Sequence, residues 1–204
     1  MGNNELLEQA KRLVEAMDKT ADDNLPEKIA EIVKFHSKGS ALSAMGSGWI
    51  PGAGGILAFV INAGFIWSMY GRIGAEIDLP ISQNILKSLA SGIATNIASN
   101  IIGTIGLSIA FSFIPGVGNI GAAIIIGATC YALTLTSGYV YLKIMTKLFS
   151  KGIDPTTLSE KELKKEAKSV AKDRDVKDMF NKAKEMSKSE LEKDEQEKQK
   201  EKSK

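Results

Sequence analysis

Two stretches of this chain carry no charged residue: residues 39–71, 33 in all, and residues 88–142, 55 in all. This constrains the fold more than any motif does. Moving a Lys, Arg or Asp to the centre of a helix in hydrocarbon costs roughly 2.5–3.5 kcal/mol, and a helix that faces water keeps a charged outer side. Charge-free runs of such length are the usual mark of segments placed in a membrane.

Whole-chain averages hide these runs. The 204 residues sum to a net charge of +2 and are 44% hydrophobic, with mean hydropathy near zero, as in an ordinary soluble domain. By region the picture divides. Residues 1–38 hold six basic and eight acidic groups, residues 39–150 four and two, and residues 151–204 sixteen and fourteen. The near-neutral balance gives no electrostatic case for nucleic acid. One cysteine excludes an internal disulfide and any multi-cysteine metal site, and one histidine leaves little for a His-based one.

The pattern predicts an all-α fold of four regions: an amphipathic helical leader at 1–38, a hydrophobic helical-hairpin membrane domain at 39–150, charged amphipathic helices at 151–186, and a disordered charged tail at 187–204. In the leader, Leu6, Leu7, Ala10, Leu13, Val14 and Met17 share one helical face. Pro26 suits the start of a second helix, with Ile29, Ile32 and Val33 on its apolar side. The opening residues are acidic and lack a signal-peptide pattern.

Within the central region, Trp49-Ile50-Pro51-Gly52-Ala53-Gly54 returns 64 positions later as Phe113-Ile114-Pro115-Gly116-Val117-Gly118. Proline discourages the preceding residue from helix and glycine permits tight reversal. Each copy therefore reads as the bend of a helical hairpin, with Ile50, Pro51, Gly52 and Gly54 in the first and Ile114, Pro115, Gly116 and Gly118 in the second. Hydrophobic runs follow both bends. Residues 120–142 reach about 35 Å as a helix, residues 88–114 about 40 Å, and residues 56–70 only about 22 Å. The leading leg of the first hairpin, residues 40–48, is short and polar. Asn96 and Asn100, one turn apart, read as hydrogen-bonding groups between packed helices. Gly103, Gly106 and Ala110 belong to small-residue pairs that permit close packing, within the hairpin or between copies in a homo-oligomer.

In the charged region, Asp154-Pro155 opens a turn or helix start. Ser159 and Glu162 fit a capping box, with Leu158 and Leu163 as its staple. Val176, Met179, Phe180 and Ala183 form a further apolar stripe.

No catalytic, cofactor or metal set emerges. Gly116, Gly118 and Gly121 match G-x-G-x-x-G literally, but no strand precedes them and no acidic residue follows before Asp154. Neither glycine turn carries Gly-Lys-Ser/Thr, so no nucleotide-binding P-loop is present. His36 reads as a packing residue, Cys130 as a small buried thiol, and Glu76 and Asp78 as solvated linker carboxylates.

The order Ile50-Pro51-Gly52, Met69-Tyr70-Gly71, Ile114-Pro115-Gly116-Val117-Gly118, Thr129-Cys130-Tyr131-Ala132-Leu133 and Gly138 resembles a family of uncharacterised hydrophobic helical domains associated with bacterial Era-like GTPases, the YcjF-like membrane proteins among them. The resemblance covers residues 36–149. It implies an all-helical, bacterial, membrane-associated module of unknown activity, often working beside a GTPase. This chain carries no GTPase domain of its own, so such a partner would be a separate protein.

The sequence reading is thus a non-enzymatic helical protein that needs no cofactor. Its partner is the lipid bilayer of the bacterial cytoplasmic membrane, with both termini cytoplasmic, and it serves there as a scaffold or partner-binding protein. Lys38, Arg72, Lys87, Lys143, Lys147 and Lys151 flank the hydrophobic runs as the positive-inside rule expects if both hairpins return to one side. Two alternatives use the same residues: a conditional pore-former that inserts a hairpin held inside a bundle, and a soluble helical bundle that buries the central segments.

Overall fold

The computed structural model describes residues 26–47, 54–78, 118–176, 178–180 and 182, with isolated positions 82, 86, 89, 90 and 93. The fold is all-α: the described residues form helices and contain no strand. Helix α1 is Glu27–Ser47, α2 is Gly54–Glu76 and α3 is Gly118–Ser150. A 3-10 turn, Pro155–Thr157, leads to α4, Glu160–Val170.

Helix α1 begins directly after Pro26, whose carbonyl accepts the Ala30 amide at 2.7 Å. It then runs unbroken through Lys38 to Ser47. Residues 40–47 of the short, polar leading leg expected at 40–48 are therefore the end of a 21-residue helix, held by buried Ser40, Ala41, Ala44 and Met45. Ile29, Ile32 and Val33 are buried, as their spacing requires.

Side-chain pairings fix the directions of the helices. Lys28 meets Glu76, His36 meets Ser68, and Ser40 meets Asn62, so α1 and α2 are antiparallel. Asn62 meets Thr134 and Tyr70 meets Ser137, so α2 and α3 run the same way. Helix α1 packs closely on both. Two glycines of α3 permit this. A methyl added at Gly127 would collide with Met45 and the Ala41 carbonyl, and one at Gly138 would lie 2.9 Å from Val33. Residues 130–138 of α3 are buried without interruption, so the helix is covered on every side there.

Helix α3 stops at a Schellman turn. Gly152 sits at φ 68°, where only glycine is unstrained. The Ile153 amide reaches the Leu148 carbonyl at 3.0 Å and the Gly152 amide the Phe149 carbonyl at 2.9 Å. Asp154 then caps the 3-10 turn, its carboxylate accepting from the Thr156 amide at 2.8 Å. The capping box at α4 is present: the Ser159 amide donates to Glu162 Oε2 at 2.9 Å, and the Glu162 amide to Ser159 Oγ at 3.4 Å.

One apolar cluster joins all of this. Ile29, Ile32 and Val33 of α1, Ile66, Met69 and Ile73 of α2, and Tyr131, Leu135 and Ile144 of α3 pack in it. So do Leu163, Ala167, Val170, Val176 and Met179 of the charged region, and Leu86, Leu89 and Ile93. No helix among the described residues is long and apolar enough to cross a membrane.

Candidate functional site

The most specific arrangement in the bundle is a polar joint where three helices meet. Asn62 is 2% exposed. Its Nδ2 donates to Ser40 Oγ of α1 at 2.7 Å, to Thr134 Oγ1 of α3 at 2.7 Å, and to the Cys130 carbonyl at 3.1 Å. Thr134 in turn donates to the Cys130 carbonyl at 2.9 Å, leaving its lone pairs to Asn62. A buried amide costs free energy unless hydrogen-bonded, so the three helices must keep this register for Asn62 to be satisfied.

One turn back along α1 from Ser40, the joint continues as His36. Its Nδ1 donates to the Ile32 carbonyl at 2.8 Å and its Nε2 accepts from Ser68 Oγ at 3.3 Å. Burial lowers the His36 pKa below its ordinary value, outweighing the Ile32 hydrogen bond that raises it, and Arg72 lowers it further. The ring is thus neutral at pH 7, the form this tautomer needs. Nearby, the Tyr70 hydroxyl donates to the Ser137 carbonyl at 3.1 Å and its ring stacks on Tyr141, centroids 4.4 Å apart.

The outer surface has the opposite character. Along α2 the outward positions are Leu57, Val60, Ala63, Gly64, Trp67, Ser68 and Gly71, then Arg72, Ala75 and Glu76. Val60 is 65% exposed, and Leu42 of α1 is exposed at the same end. Toward the other end stands Phe35, 62% exposed, with the Arg72 guanidinium 5.1 Å from its ring centroid. Directions matter here. Every charge on α1 lies at or before Lys38, every charge on α2 at or after Arg72, and every charge on α3 at or after Lys143. Because α1 runs against the other two, these charges gather toward one end of the three helices, and their other end carries none among the described residues.

The charged end is where the later chain docks. Lys143 Nζ lies 2.9 Å from Asp173 and 2.6 Å from Asp175, and Lys147 lies 2.8 Å from Glu166. The Tyr139 hydroxyl donates to Asp175 at 2.6 Å.

Gly54 and Gly118 stand as the first residues of α2 and α3. Ile50, Pro51, Gly52, Ile114, Pro115 and Gly116 lie outside the described residues, as do Asn96, Asn100, Gly103, Gly106 and Ala110. Cys130 is a buried free thiol. Glu76 pairs with Lys28 at 3.2 Å, and Asp78, at φ 52°, ends α2 in the left-handed conformation that Asp tolerates. Among the described residues no group of three or more His, Cys, Asp and Glu is placed to hold a metal ion. Asn62 is marked by no motif in the sequence. Its signal was that it is the single Asn in the run 56–70.

No family model matches the chain, and no curated protein or solved structure matches it.

Proposed function

We propose that the protein is a non-enzymatic, membrane-associated helical scaffold whose charge-free end enters the bilayer while its charged end stays in water. The observation that carries this reading is the segregation of charge along the bundle. In a helix bundle surrounded by water, charges occupy the outer stripe along the whole length. Here Leu57, Val60 and Gly64 hold that stripe on α2, and charge begins only at Arg72. Hydrocarbon is the environment in which that distribution has the lowest free energy.

The reading places the scaffold at the bacterial cytoplasmic membrane, with the docked helix α4 and both termini on the cytoplasmic side. A separate GTPase is the partner implied by the family resemblance, and the charged end is the surface that would meet it. The test is flotation of the full chain with liposomes, followed by capture of partners in mild detergent. Co-flotation through a density gradient supports the reading. A chain that stays at the bottom in both neutral and anionic vesicles overturns it.

A second reading has one observation in its favour. Leu163, Val170, Val176 and Met179 share a core with the central helices, as in a bundle that covers its own apolar segments until they are released. Flotation only after the charged region is removed would favour that form.

A further inference from the structure

We infer that Trp67, Lys38 and the Phe35–Arg72 pair mark the level at which this bundle sits in the headgroup layer, and that Leu42, Leu57 and Val60 contact acyl chains. The inference rests on the membrane reading and adds to it an orientation and a lipid-contact surface.

Around the Asn62 joint three polar side chains are held within an otherwise apolar interior, and the outward positions are apolar too. The polar groups Ser40, Asn62 and Thr134 are 0–2% exposed. At the same end of the bundle, Leu42, Leu57 and Val60 face outward at 43%, 40% and 65%. Water favours the reverse distribution. Hydrocarbon favours this one, because polar side chains are satisfied only by bonding between helices. A protein partner would cover one patch of the surface, whereas the charges of α1, α2 and α3 all lie to one side of a common level. The occupant is therefore the acyl region of a bilayer.

The level follows from the antiparallel register. Lys38 stands between His36, which meets Ser68, and Ser40, which meets Asn62. It therefore lies level with the region of Trp67. Five residues beyond Trp67, nearly a turn and a half on and at the other edge of the exposed face, is Arg72, resting over Phe35. Trp and the long basic side chains concentrate at the membrane interface, the indole with its ring in the apolar boundary and the cation reaching to phosphate. Beyond this level toward the Asn62 joint the outer stripes carry no charge, and on the other side Glu31, Arg72 and Glu76 carry it.

The experiment uses the full chain with Trp49→Phe, which leaves Trp67 as the single indole, reconstituted in vesicles with bromine placed high or low on the acyl chains. Emission is expected to shift to the blue relative to the denatured chain, with stronger quenching by the high bromines. Val60→Asp and Leu57→Asp, both at exposed positions, are expected to lower the vesicle-bound fraction by about tenfold or more; Glu31→Lys, at the charged end, is expected to leave it unchanged. If the chain floats with vesicles but neither bromine quenches Trp67, or low bromines quench it more, the orientation is overturned while the membrane reading stands. If the chain does not float, both fall. Helical circular dichroism of each variant before vesicle addition separates lost binding from lost folding.

Discussion

Asn62 Nδ2 lies 2.7 Å from Thr134 Oγ1, a hydrogen bond between helices 72 positions apart in the sequence. With Ser40 it ties α1, α2 and α3 at one level. Replacing Asn62 by Ala leaves the hydroxyls of Ser40 and Thr134 without it. Stability is expected to fall by about 2–3 kcal/mol, and Thr134→Val by about 1 kcal/mol. The double variant should cost less than the sum of the two. Denaturant titration of the four proteins checks this.

Gly127 and Gly64 provide a matched pair. A Cβ at Gly127 meets Met45 and the Ala41 carbonyl, whereas at Gly64 it meets nothing within 4 Å. Gly64→Ala is expected to raise stability by about 0.5–1 kcal/mol through helix propensity. Gly127→Ala is expected to lower it by about 1–3 kcal/mol, because α1 must move away. Thermal denaturation, read as the sign of the change, distinguishes them.

Buried His36 gives the bundle a pH dependence. Its folded pKa lies below the ordinary value, chiefly through burial. The unfolded chain therefore takes up the proton first, so the contribution is whole above the unfolded value of about 6.5 and is lost as pH falls through the folded value. Denaturation midpoints measured downward from pH 7.5 should decline below about 6.5, and His36→Gln should flatten that decline.

The docking of the later chain has its own acid limit. The Lys147 hydrogen bond holds the Glu166 carboxyl below its usual range. At Asp175, burial pulls upward but is outweighed by Lys143 and Tyr139, leaving that carboxyl low as well. Lowered carboxylates stabilise above the unfolded pKa and lose this as pH falls through the folded one. These contacts are partly exposed and therefore screened by salt. Protection factors of the amides in 160–176, corrected for intrinsic exchange, should fall below about pH 4 by more than those of α2 around Asn62, and added salt should have the same direction of effect at neutral pH.

Much of the local structure was legible from the residues themselves. The capping box is encoded by Ser159 and Glu162 three positions apart, and the start of α1 by Pro26, because each signal acts within one turn. The all-helical class followed from spacing in the same way. The direction in which a charge-free helix turns its faces was not legible: in residues 39–71 both sides are apolar or small, so periodicity separates nothing. Asn62 turns inward because Ser40 and Thr134 wait there, and neither neighbour is near it in sequence. For the same reason composition marks residues 151–186 as charged amphipathic helices without showing what they pack on. In the structure Leu163, Val170 and Val176 belong to the common core, since a few well-placed apolar residues on an amphipathic helix suffice to dock it.

The central claim is that the charge-free end of this bundle resides in lipid. Washing membranes that hold the full chain with alkaline carbonate tests it most directly, because the wash strips proteins held only by surface charge. The chain is expected to remain in the membrane pellet, with Val60→Asp shifting it toward the supernatant. Complete release of the unaltered chain would contradict it.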